Sequence, residues 1–126
     1  MEKAEVCRYL FSLGISPKHK GFSYICDILL EMLRCGALCE AGPARAAVCR
    51  ARGADTRSAE RCMRYAVCCA WYLRRGAIRT VFAGSETGCP PALGEFFCVT
   101  AWQLDEGRGP TAGALSPAPV NNIVKK

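Results

Sequence analysis

The sequence predicts an all-α fold, a compact helical bundle that contains a helix-turn-helix. Apolar residues recur every three to four positions through successive segments, the period at which one face of a helix meets a core. Glycines, prolines and small polar residues fall between those segments, where helices start and stop. One pair of segments adds a pattern of its own. It is a short alanine-rich helix, a turn with a glycine, and a long helix with arginines in its first turns.

The 126 residues carry a formal net charge of +6. That length fits one domain with a real core, read here as a helical unit over 1–104 and a flexible Gly/Pro-rich tail over 105–126. The excess positive charge favours a polyanionic partner. No apolar run approaches the roughly 20 residues needed to span a bilayer. The first residues are charged and lack the apolar core of a signal peptide. A cytoplasmic protein with no membrane partner is therefore expected.

The ten cysteines contain no CxxC. Cys35 and Cys39 form a single CxxxC, and a second pair at zinc-ribbon spacing is missing. The expectation is small buried hydrophobes in a reducing compartment, with no metal and no cofactor.

In chain order, Val6, Tyr9, Leu10 and Leu13 form one stripe over 2–13, and Gly14 fits the left-handed position that closes a helix. Ser16 and Pro17 read as the start of a second helix over 17–35. Its stripe is Phe22, Ile25, Cys26, Leu29, Met32 and Leu33. Lys18, His19 and Lys20 then crowd a helix start that is already electropositive, which an anion would relieve. A third helix is expected over 43–51, with Ala46, Ala47 and Val48 available for packing. Arg52, Gly53 and Ala54 make a sharp connection.

The long helix is expected over 55–75, capped by Asp55 or Thr56 and closed by Gly76. At 100° per residue, Arg57, Glu60, Arg61, Arg64 and Cys68 share one side. Ala59, Cys62, Met63, Ala66, Cys69, Ala70 and Leu73 share the other, and Trp71, Tyr72 and Leu73 are expected to pack at the far end. Guanidiniums match guanine edges and phosphates, and a carboxylate accepts from cytosine N4. A short apolar turn over 77–82 and a loop over 83–88 follow. The last helix is expected over 92–104, with Leu93, Phe96, Phe97, Thr100 and Leu104 inward.

The order short helix, tight turn, basic helix is that of a DNA-binding helix-turn-helix, whose second helix enters the major groove by its N-terminal turns. Catalytic signatures are missing: there is no phosphate-cradling glycine loop, no HExxH and no GxSxG. No enzymatic activity is expected.

Three stretches resemble one family, the C-terminal effector domain of the sporulation response regulators (stage zero sporulation protein A). They are LGISPKHKGFSYICDIL at 13–29, AERCMRYAVCCAW at 59–71 and PPALGEFFCVTAWQL at 90–104. The resemblance implies a bundle of about six helices, the number read along this chain, and sequence-specific binding to short duplex DNA boxes. It implies tandem copies or a homodimer on adjacent sites, and a contact with RNA polymerase. By position, Glu60, Arg61 and Arg64 match the family's base- and phosphate-contacting residues. Tyr65 stands where the family has His. Arg57-Ser58 inverts the family's Ser-Arg pair, which implies that one base contact is lost or re-aimed. Lys18, His19, Lys20 and Arg45 are candidate phosphate contacts. The family protein begins with a phosphorylatable receiver, for which this length leaves no room. The alternative expectation is a receiver-less interaction protein that pairs with a full-length regulator without reading DNA.

Overall fold

The computed structural model describes residues 2–83 and 88–107. They form six helices: α1 (Lys3–Leu13), α2 (Lys20–Cys35), α3 (Gly42–Arg52), α4 (Thr56–Tyr72), α5 (Ile78–Val81) and α6 (Leu93–Asp105). Among the described residues there is no strand. None of the helices is long and apolar enough to cross a membrane. The all-α bundle expected from periodicity is what the chain forms.

The arrangement follows from where apolar side chains lie. α2 carries the widest apolar surface, with Phe22, Ile25, Cys26, Ile28, Leu29 and Met32 all buried. A helix with that much to bury sits at the centre. α1, α3, α4 and α6 all pack against it. The expected stripes of α1 (Val6, Tyr9, Leu10, Leu13) and α6 (Leu93, Phe96, Phe97, Thr100, Leu104) are buried as read. Phe82 stacks on Phe96 with ring centroids 5.8 Å apart and seals the α5–α6 end. The buried Tyr9 hydroxyl donates to Gln103 Oε1, joining α1 to α6.

Helix boundaries differ from expectation at two places. α2 begins at Lys20, three residues after Pro17. Residues 16–19 form a turn instead: the Lys18 amide donates to Ser16 Oγ (3.2 Å) and the His19 amide to the Ser16 carbonyl (3.2 Å). The physical reason lies at Gly21, one residue into α2. A Cβ there would stand 2.7 Å from the Cys62 carbonyl carbon and the Met63 Cα of α4. The helix start is therefore set by a backbone-to-backbone approach, and the turn uses the residues before it.

α4 stops at Tyr72, short of the expected Arg75. Its end is a Schellman turn in which the Arg75 amide donates to the Ala70 carbonyl and the Arg74 amide to that of Trp71. Arg74 takes the left-handed conformation (φ +54°) that glycine usually supplies. Gly76 is needed elsewhere. It lies against Gly14, and a Cβ on it would meet the Gly14 nitrogen at 2.5 Å. The Ala77 amide donates to the Ser12 carbonyl at 3.0 Å beside that crossing. Early termination leaves Tyr72 and Leu73 exposed, while Trp71 alone packs inward.

Two packing expectations also change. In α3 the buried residues are Ala44 and Cys49, and Ala46 is exposed. A run of alanines carries too little amphipathic signal to say which side turns inward. Of the ten cysteines only Cys26 and Cys49 are buried, and Cys35, Cys39 and Cys89 are exposed. α6 runs one residue into the segment read as a tail, and residues 108–126 lie outside the described residues, as do 84–87 of the expected loop.

Candidate nucleic-acid interface

α3 and α4 are joined by Gly53, Ala54 and Asp55. Gly53 takes φ +64° and closes α3, its amide donating to the Arg50 carbonyl. Asp55 then caps α4, its Oδ2 accepting from the Ser58 amide at 3.0 Å. That bond satisfies one of the amides a helix start leaves open and puts negative charge where the dipole favours it.

Arg52, the last residue of α3, aims this corner. Its guanidinium donates to Ser23 Oγ (3.1 Å) and to Asp27 Oδ2 (2.5 Å) on α2. It also lies over the Tyr24 ring, 4.4 Å from the centroid. The end of α3 is thereby pinned to α2. Sequence reading gave Arg52 no such role, because its partners lie 25 to 29 residues away and leave no local signal.

The inward face of α4 is small. Ala59, Met63, Ala66, Val67 and Ala70 are buried, and Cys62 and Cys69 half-buried. These side chains let α4 lie close on α2. They turn the opposite side outward, where Arg57, Ser58, Arg61, Arg64 and Tyr65 are all exposed. Among the described residues, neither Arg57 nor Arg61 has an ion-pair partner.

Glu60 sits apart from that row, half-buried and turned toward α3. Its carboxylate oxygens lie 3.7 Å from Arg45 Nη1 and 3.9 Å from Arg64 Nη2. At these distances the pairs are ionic without being close hydrogen bonds. Arg45, a candidate phosphate contact, also ties α3 to α4 through this pair. Glu60 can accept from a base only by giving up part of this pairing.

The turn before α2 meets the same region. His19 stands at the N-cap position of α2 with no capping bond from its side chain, and its ring packs edge to face with Tyr65, centroids 5.2 Å apart and planes at 89°. Its Nε2 atom is buried without a hydrogen-bond partner. Lys18 and Lys20 flank it and are exposed. Two groups of candidate residues far apart in the chain, 18–20 and 57–65, therefore join through the His19–Tyr65 contact. A hydrogen bond with the Cys69 thiol holds the Tyr65 phenol above its ordinary value.

The assembled surface presents the exposed Arg57, Arg61 and Arg64 along the first turns of α4, joined through the His19–Tyr65 contact to the turn that carries the exposed Lys18 and Lys20. Such a surface offers planar forks for phosphate or guanine and an aromatic hydroxyl for either. Among the described residues, no group of three or more His, Cys, Asp or Glu side chains is placed to hold a metal ion. Comparison with protein-family models, with curated proteins and with solved structures finds no match to this chain.

Proposed function

We propose that the chain is a sequence-specific DNA-binding transcriptional regulator, with α3 and α4 as its helix-turn-helix and the first turns of α4 in the major groove. The observation that carries this reading is the row of exposed arginines on α4, of which Arg57 and Arg61 have no ion-pair partner among the described residues, on a helix whose other face is buried. A solvated charged face is ordinarily laced with opposite charges one turn apart. Here three cations share the outer side, and the nearby carboxylate of Glu60 is divided between Arg64 and Arg45 of α3, which leaves Arg57 and Arg61 without a pair among the described residues.

On this reading Arg61 and Arg64 contact bases or phosphates, Glu60 accepts from a base or orients the arginines, and Arg57, Ser58 and Tyr65 flank them. Lys18, His19 and Lys20 meet the backbone of the same duplex, positioning it without reading it. The protein does no catalysis and works in the cytoplasm. The three stretches that resemble the sporulation effector domain support the same class, and with it tandem or dimeric binding and a contact with RNA polymerase.

A second reading is a partner protein that pairs with another regulator and leaves DNA unread. The exposed Phe11, Tyr72 and Leu73 favour it, because apolar side chains of that size at a helix end serve contact with protein better than contact with a phosphate backbone. Selection from a random duplex pool across a salt series separates the two. A DNA reader enriches one motif and loses affinity steeply as salt rises. A partner protein does neither, and that result ends the DNA reading.

A further inference from the structure

Two thiols from different helices meet inside the bundle. Cys7 of α1 and Cys26 of α2 place their Sγ atoms 3.3 Å apart, with one thiol donating to the other. Cys26 is fully buried and Cys7 half-buried, so a small oxidant arriving from solvent meets Cys7 first. The two helices are regular at these positions and run directly into the 14–19 turn that joins them. Burial, and then the hydrogen bond with Cys7, hold the Cys26 thiol well above its ordinary value, so Cys26 stays protonated until the oxidant has reacted at the more accessible sulfur.

We propose that Cys7 and Cys26 are a modification site, closing to a reversible disulfide when the protein meets a hydroperoxide. The steps balance with the peroxide as the only oxidant. The Cys7 thiolate attacks the terminal hydroxyl oxygen of the hydroperoxide, an S–O bond forms as the O–O bond breaks, and the alkoxide (hydroxide from hydrogen peroxide) leaves and takes up a proton as alcohol or water. Cys26 sulfur then attacks the Cys7 sulfenic acid. The S–S bond forms as the S–O bond breaks, and the departing hydroxide carries off the Cys26 proton as water. The dithiol loses two electrons and the peroxide gains two. The sulfurs have only to close from 3.3 Å to about 2.05 Å. The product staples α1 to α2 and closes the chain around the turn that carries Lys18 and His19. A thiol reductant reopens it by exchange.

The test uses the full chain, reduced and then treated with hydrogen peroxide in stepped amounts, unfolded, alkylated and digested with trypsin. Trypsin cuts at Arg8, Lys18 and Lys20, so Cys7 and Cys26 fall on separate peptides unless they are bridged. The expected product is the Cys7–Cys26 linked pair, formed before the exposed Cys35 and Cys39 are consumed and lost again with dithiothreitol. The bridged protein should unfold at least about 5 °C above the reduced one, since the bond removes freedom from the unfolded chain. In Cys26→Ala, dimedone should trap a sulfenic acid at Cys7, because the resolving thiol is gone. The proposal is overturned if Cys7 and Cys26 stay alkylated at doses that oxidise Cys35 and Cys39, or if Cys7 proceeds to sulfinic acid with Cys26 present. Both results are read on the wild-type chain, so they stand even where a variant fails to fold.

Discussion

His19 and Tyr65 meet edge to face, 5.2 Å between ring centroids, and that contact joins the turn before α2 to the outer side of α4. An aromatic pair of this geometry contributes about 0.5–1.5 kcal/mol beyond its buried area, and less where one ring is mostly in water, as Tyr65 is. Its larger role is positional. Tyr65→Ala should cost little stability, under about 1 kcal/mol by denaturant titration. It should lower affinity for a selected duplex, because both the ring and its contact with His19 are lost. Tyr65→Phe keeps the edge-to-face contact and removes the hydroxyl, so the difference between the two variants separates placement from hydrogen bonding. Equal affinity for wild type and Tyr65→Ala would remove Tyr65 from the interface.

Arg61→Ala and Arg64→Ala should each weaken binding to the selected site more than tenfold, on the scale of about 1–3 kcal/mol for a well-placed arginine on a base edge. Both side chains are exposed, so the helical circular-dichroism signal should be unchanged. A base contact and a phosphate contact leave different traces. Losing the first relaxes one position of the motif, and losing the second lowers the slope of log affinity against log salt. If both variants bind as tightly as the parent, α4 is not a recognition helix.

Gly21→Ala tests the packing of α2 on α4. The added methyl would stand 2.7 Å from Met63 Cα and from the Cys62 carbonyl carbon. These are backbone atoms that cannot rotate away, so the two helices must separate. Overpacking of this kind costs about 1–3 kcal/mol, and more where backbone must move. The expected result is a clear fall in the unfolding midpoint. Gly36→Ala is the control: a Cβ there meets nothing within 4 Å, and its cost is confined to the strain of φ +72°. A Gly21→Ala protein as stable as the parent would contradict the helix contact.

The buried thiol predicts a pH dependence. Burial, followed by the hydrogen bond with Cys7, pushes Cys26 up to about 12 from an ordinary 9.0. Burial also raises Cys68 and Cys98. A group whose value is raised by folding binds more protons in the native chain once the unfolded chain begins to ionise. Stability is therefore unaffected below pH 9 and falls as pH rises from about 9 toward 12, by at most about 1.4 kcal/mol per pH unit for each such group. Cys26→Ala should flatten the upper part of that fall in thermal melts between pH 8 and 11. An equally steep curve in the variant would locate the titrating group elsewhere.

The reach of the sequence differs from element to element. The stripes of α1, α2 and α6 were legible because large apolar residues at helical spacing have one way to be buried. The outer row of α4 was legible for the complementary reason, since arginines cannot share the inward side with Ala59, Met63 and Ala66. The face of α3 was not, because alanine buries too little area for periodicity to distinguish one side from another. The start of α2 and the end of α4 were misplaced by three residues each. Capping rules describe a helix by itself, whereas these two boundaries are set by another part of the chain, Met63 beneath Gly21 and Gly14 against Gly76.

By itself the sequence determined that this chain folds as helices, where the core stripes of α1, α2 and α6 lie, and which side of α4 carries the arginines. Those follow from local periodicity and from the cost of burying charge. Only the tertiary structure decided that His19 stands against Tyr65, that Arg45 is drawn to Glu60, that Arg52 anchors the α3–α4 corner on Asp27, and that Cys7 touches Cys26. Each of these is a contact between residues 15 to 46 positions apart. Contacts at that range arise from how helices are laid against one another, and two glycine approaches, Gly21 on α4 and Gly14 on Gly76, set that lay.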